Sequence, residues 1–226
     1  MSDNLIICVF GRKGSGKTTL VREIIKENPR VFVIDSLAEY DAGFQVVHGK
    51  RACIEAMRDA GRAREDLFDL KEERGPFRLS LRVLDVEDNL ELIDYAYEFP
   101  GTMLVVEETS LYTKSHFLPT EISRLVRYGR HREIDQIYVA RRPSEVSRDL
   151  TAQADLIVSF QQQEPRDVKY LRDVAGEEAE QVRNLPKYKT MVFGDLSKMP
   201  IAVMRSRHRG AQLSLDPVEE EEETPP

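Results

Sequence analysis

The chain is short of cysteine, has no apolar run longer than a strand and carries no excess of basic residues, and each shortage excludes something. Its two cysteines, Cys8 and Cys53, lack the paired spacing of a zinc site and are too few for a disulfide framework, so both are expected to be core thiols in a reducing cytoplasm. No stretch approaches the ~20 apolar residues that cross a bilayer. The opening Met-Ser-Asp-Asn-Leu is not a positively charged leader, so the expectation is an unexported chain with no membrane-spanning segment. At 226 residues and 41% apolar content, the length suits one α/β domain with small appendages rather than two full domains.

The net charge of −7 disfavours nucleic acid only until it is located along the chain. Asp216 and Glu219 to Glu223 supply six of the 40 acidic residues, and no Lys or Arg follows Arg209, which leaves 34 acids against 33 bases over residues 1–215, a net charge of −1. Residues 1–210 are therefore expected to form the folded domain. Residues 211–226, rich in glutamate and proline, are expected to be a disordered tail that aids solubility, competes with DNA for a basic surface or docks a partner.

The most informative segment is Gly11-Arg12-Lys13-Gly14-Ser15-Gly16-Lys17-Thr18, a complete G-x-x-x-x-G-K-[ST] loop. It lies between the apolar run Leu5–Phe10 and a helical pattern with apolar residues at Leu20, Val21, Ile24 and Ile25. That context is what a phosphate-binding loop requires. The glycines let backbone N–H groups turn inward around an anion, Lys17 reaches the β and γ phosphates, and Thr18 offers a hydroxyl to Mg²⁺. Lys13, Ser15 and Thr19 complete the expected nucleotide contacts. ATP is the expected nucleotide, because the chain contains no Asn-Lys-x-Asp guanine reader, although no residue positively reads adenine.

Strands then alternate with helices. Apolar strand-length segments recur at 31–35, 44–47, 77–83, 102–106, 136–140 and 156–160. Helical patterns cover 51–73, 87–98, 120–128 and 164–184, with a short one near 145–153. Residues 189–193 and 200–204 read as a terminal hairpin around Gly194-Asp195. The alternation argues a doubly wound, mainly parallel sheet. Met103-Leu104-Val105-Val106 ends in Glu107 and Glu108, at the crevice where parallel sheets bind ligands. Glu107 suits the Mg²⁺ shell and Glu108 the polarisation of attacking water. Residues 31–35 and 77–84, lying between loop and acid pair in sequence, are candidates for a strand inserted between them, as in the additional-strand, catalytic-glutamate division of P-loop ATPases.

The block from Arg124 through Tyr128-Gly129-Arg130-His131-Arg132 to Arg141-Arg142-Pro143-Ser144, followed by Asp149 to Asp155, resembles the HerA/FtsK superfamily of hexameric DNA-pumping ATPases. There a Gly-Arg helix end precedes a strand closing in a Thr-Gln-Arg-Pro-Ser-like sequence, and the compact length resembles the viral genome-packaging members. The resemblance spans residues 5 to about 195. It implies a RecA-like fold, a homo-hexamer, double-stranded DNA as partner, and Arg130 as an arginine finger in the neighbouring subunit's site, with Arg127 and Arg132 as alternatives. It also implies a setting in host cytoplasm or at a capsid vertex, with a capsid or portal protein docking on the acidic tail. Two positions depart from the family. Glu107 stands where Asp is usual, and Arg141 where the γ-phosphate sensor is usually Gln. Arg78 and Arg82, or Arg205, Arg207 and Arg209, are candidates to line a DNA channel. Rival readings are a cellular HerA-like translocase, helicase or conjugation motor, a small-molecule P-loop kinase using Arg141-Arg142 as a lid, and a non-hydrolysing ATP-binding morphogenesis protein, against which Glu108 argues.

Overall fold

The computed structural model describes residues 4–61 and 75–208. The charged half of the expected 51–73 helix and the acidic tail at 211–226 lie outside the described residues, as does Arg209. The chain runs through β1 (Ile6–Phe10), α1 (Lys17–Ile24), β2 (Arg30–Ile34), β3 (Gln45–His48), α2 (Lys50–Gly61), β4 (Phe77–Arg82) and α3 (Val86–Tyr95). It continues through β5 (Met103–Val106), α4 (Thr120–Tyr128), β6 (Asp135–Ala140), α5 (Arg148–Thr151), β7 (Leu156–Ser159), α6 (Pro165–Ala175), β8 (Met191–Gly194) and α7 (Ile201–Ser206). The strands form one eight-stranded sheet in the order β3-β4-β2-β5-β6-β1-β7-β8, parallel except for β8.

β1 and β5 are apolar at every position, and β2 at every position after Arg30, because both faces of the sheet are covered. Alternate residues separate into two cores. Ile6, Cys8 and Phe10 face a thick layer that includes Met57 of α2, Leu92 of α3, Leu125 of α4 and Leu171 of α6. Ile7 and Val9 face a thinner layer built from Leu20 and Val21 of α1 and Val203 of α7. Asp85 begins α3 by accepting a hydrogen bond from the Asp88 N–H. Gly176, at φ 90°, ends α6 and divides the 164–184 region into that helix and a 3-10 segment, Glu177–Asn184.

Two sequence expectations need correction. The strand between β1 and β5 is β6, not residues 31–35 or 77–84, which form β2 and β4 beyond β5. The additional-strand topology is present, but the inserted strand comes after the acid pair in sequence. The expected C-terminal hairpin is not formed. β8 pairs antiparallel with β7, and residues 201–206 form α7, packed on α1. The reason is local: Asp195 accepts from the Ser197 N–H and closes a turn that leads away from β8, and Pro200 precedes a helical turn that buries Val203.

Candidate functional site

The phosphate loop leaves β1 at its C-terminal end, where the Gly11 N–H still bonds to the Ala140 carbonyl of β6. Gly14 (φ 73°) and Gly16 (φ 105°) occupy backbone conformations that a side chain would strain, and Gly16 caps α1 without a side chain. The helix therefore begins with N–H groups directed at the loop rather than at a capping oxygen. A Cβ on Gly11 would approach Ser15 Oγ to 2.5 Å and the Phe160 Cβ to 2.9 Å, so the loop is held tightly against the end of β7. Ser15 Oγ is buried with no hydrogen-bond partner among the described residues, while Lys13, Gly14 and Thr19 are exposed. Lys17 Nζ donates to the Arg12 carbonyl at 3.4 Å across the loop. Burial pulls the Lys17 ammonium below its ordinary range, opposed by the nearby charges of Glu107 and Glu108.

Glu107 and Glu108 follow β5, two strands from the loop, and face different surroundings. Glu107 is 2% exposed and accepts a 2.6 Å hydrogen bond from the Tyr40 hydroxyl at Oε1. Burial pushes its carboxyl up to about 7, against the lowering effects of the Tyr40 hydrogen bond and the Lys17 charge. Glu108 adopts φ 46°, ψ 48°, a left-handed backbone that a non-glycine residue adopts at a cost, and its carboxylate pairs with Arg141 at 2.9 Å.

The Tyr40 contact belongs to a second limb that motif reading does not reach. Asp35, buried at the end of β2, accepts from the Glu39 and Tyr40 N–H groups, Ser80 Oγ and Arg82 Nε at 2.8–3.1 Å. This hub turns the loop after β2 back over α1, through Ala38 at φ 55°. Glu39 then accepts a hydrogen bond from the Thr18 hydroxyl, and Tyr40 reaches Glu107. A sequence signal existed in the aspartate ending an apolar strand, but the role of Glu39 and Tyr40 depends on how five residues fold around it. Thr18, Glu39 and Glu107 offer hydroxyl and carboxylate oxygens alone, the donor chemistry that Mg²⁺ prefers, so the residues present fit that ion.

Three of the four non-glycine residues with positive φ among the described residues, Ala38, Glu108 and Tyr188, stand around this loop. The Tyr188 ring lies beside Gly16, where an added Cβ would meet its Cδ1 at 3.3 Å. With Thr19, Phe160, Arg205 and Ser206 it lines a cavity of about 530 Å³ at the start of α1, large enough for a nucleobase. On the other side of the loop, Arg12, Lys13, Glu108, Arg141, Arg142 and Asp167 line a cavity of about 820 Å³.

Arg130 is not part of this constellation. It lies in the 3-10 turn Gly129–Arg132 before β6, at the N-terminal end of the parallel strands, opposite the end that carries the phosphate loop. Arg127 and Arg130 are exposed, their side chains making no hydrogen bond or ion pair among the described residues, and line a separate cavity of about 580 Å³ with His131. Arg132 instead donates to the Tyr97 and Glu98 carbonyls. Arg78 and Arg82 are internally engaged rather than presented to a channel: Arg78 bonds the Ile25 and Asn28 carbonyls and covers the Phe44 ring, and Arg82 bridges Asp35 and Asp41.

No protein-family model matches the sequence, and no curated protein matches it. Among solved structures, the chain is similar to the genome packaging NTPase B204 of Sulfolobus turreted icosahedral virus 2 in complex with ATP-gammaS, at TM-score 0.67 and 18% identity, over 88% of this chain and 96% of that one. It is also similar to B204, the DNA-packaging ATPase of Sulfolobus turreted icosahedral virus, at TM-score 0.58 and 21% identity, over 88% and 96% of the two chains. VirB4 of Thermoanaerobacter pseudethanolicus matches at TM-score 0.58 and 12% identity, over 85% of this chain and 87% of that one. At these identities the likeness establishes the fold, an α/β P-loop NTPase sheet over nearly the whole described chain, and agrees with the family resemblance in the sequence.

Proposed function

We propose that the chain is an ATP-hydrolysing motor subunit that works in a homo-hexameric ring to translocate double-stranded DNA in viral genome packaging. The observation that carries this reading is the arrangement around β6: the phosphate loop on one side, Glu107 and Glu108 on the other, and exposed Arg130 before the strand's far end. In this reading ATP lies with its phosphates in the loop and its base beside Tyr188. Lys17 holds the terminal phosphates, and Glu108 orients the water that attacks the γ-phosphorus in line with the leaving oxygen. Thr18 and Glu107, with Glu39, would hold Mg²⁺, which would supply neutralisation of phosphate charge. Arg130 cannot serve its own loop from the opposite end of the strands, and this reading has it act in the neighbour's site. That supports an oligomer as the working form, a finger contribution of about 10³–10⁵ in rate being typical of NTPases. The likeness to two viral packaging enzymes over 88% of the chain supports DNA as the load.

The test is ATP turnover by the full chain with and without duplex DNA, together with its mass in solution with ATPγS. Turnover stimulated by DNA and a mass of six chains are expected. Turnover indifferent to DNA at low and physiological salt would leave an ATPase without the proposed load, and a monomer in every nucleotide state would remove the ring.

A further inference from the structure

The Arg141–Glu108 ion pair joins the end of β6 to the residue read above as the water-orienting acid, and it engages an oxygen that a water would need. Arg141 Nε donates to Glu108 Oε1 at 2.9 Å. The two side chains differ in freedom: Glu108 is 12% exposed and Arg141 48%. The arginine, extending into solvent, is the partner with room to move. Both line the 820 Å³ cavity with Arg12 and Lys13, and both act electrostatically on Lys17, which places them at the phosphate end of the loop.

A carboxylate oxygen held by a guanidinium has less capacity to accept a hydrogen bond from water. A terminal phosphate, with nearly two negative charges and three strong acceptor oxygens, is the better partner for the same guanidinium. A diphosphate in the loop ends one phosphate short and leaves the pair intact. On the reading that this is an ATP site, we propose that Arg141 is a positioning residue that acts as a latch. It restrains Glu108 while the third phosphate is absent, and it exchanges Glu108 for that phosphate when a triphosphate binds. With its arginine half exposed and the competing phosphate more highly charged than the carboxylate, the pair can be exchanged in this way. An arginine in the sensor place thus couples recognition of the third phosphate to release of the hydrolytic acid.

The test is a double-mutant cycle in equilibrium binding of ATPγS and of ADP to the full chain, using Glu108→Ala, Arg141→Ala and the double variant. Glu108→Ala is expected to tighten ATPγS about fivefold, the upper end of the range for exposed ion pairs because Glu108 is mostly buried, and to leave ADP unchanged. Arg141→Ala weakens ATPγS and not ADP, and in its background Glu108→Ala no longer tightens ATPγS. Tightening by Glu108→Ala of equal size with and without Arg141 would reduce the effect to simple charge repulsion and overturn the latch. Equal weakening of ATPγS and ADP by Arg141→Ala, or no effect of Glu108→Ala, would overturn it as well. The isosteric pair Glu108→Gln and Arg141→Gln carries the same cycle should an alanine variant fail to fold. Lys17→Ala separates the two levels: unchanged nucleotide binding in that variant would overturn the ATP site itself, whereas lost binding together with an additive cycle overturns the latch alone.

Discussion

Tyr40 sits deeper in the site than either acid, and its hydroxyl donates to Glu107. Removing that donor while keeping the ring isolates its role. In Tyr40→Phe the fold is expected to persist, turnover to fall about tenfold, and the Mg²⁺ concentration for half-maximal turnover to rise, as groups that orient metal ligands usually behave. A Mg²⁺ titration of turnover that matches the parent would show that Tyr40 is only packing. Glu108→Gln differs in kind, because the substitution removes the carboxylate charge proposed to polarise water but not a phosphate contact. ATP binding should remain while turnover drops by about 10²–10⁴, and turnover within a factor of a few of the parent would end the assignment. Lys17, Thr18, Glu107 and Glu108 were legible in the sequence because each is fixed by a contiguous motif or strand end. Glu39, Tyr40 and Tyr188 were not, since they reach the loop through Asp35 and through a C-terminal segment whose path no short-range pattern specifies.

Elements are held at the sheet edges by a few polar contacts, and these carry their own predictions. At the N-terminal end of β1, Asp135 accepts from the Leu5 N–H and Asp155 from the Ile6 N–H. Burial, and more weakly the Asp155 charge, raise the Asp135 carboxyl above its ordinary range, against the lowering effect of the Leu5 hydrogen bond. A carboxyl with a raised folded pKa contributes stability that is present below its unfolded pKa and lost as pH rises through the folded one. Asp135→Asn should therefore gain stability relative to the parent between acidic and neutral pH, measured by urea unfolding at both; a constant or reversed difference would contradict the burial argument. Gly194 closes β8 at φ 106°, where an added Cβ would lie 2.1 Å from the Asp155 carbonyl. Gly194→Ala is expected to cost about 2–3 kcal/mol. Hydrogen exchange should accelerate first in β8, and protection equal to the parent there would refute the clash. The strand and helix alternation predicted nearly every element, because buried strands and amphipathic helices have different periods. What it missed was order: nothing local shows that β6 inserts beside β1, or that residues 201–206 prefer helix to the far arm of a hairpin.

At the scale of the molecule, the separation of Arg130 from the phosphate loop makes the ring testable by mixing. Arg130→Ala lacks the proposed finger but keeps its loop, and Lys17→Ala lacks the proposed phosphate contact but keeps Arg130. Each alone should be nearly inactive, and mixing them should restore turnover; no recovery at any ratio would argue against action in a neighbour. β6 then takes on a mechanical meaning. It is six residues long, about 20 Å, and it is bonded along both edges, to β5 and β1. A strand clamped in this way does not stretch, and it slips only by whole register steps. One end carries Arg141 and the other follows directly from the turn bearing Arg130. In the proposed ring, β6 is a stiff connecting rod between one subunit's nucleotide and the cation its neighbour waits for. The order in which subunits fire would then be set by the displacement of a rod, read by the neighbour through the position of a guanidinium.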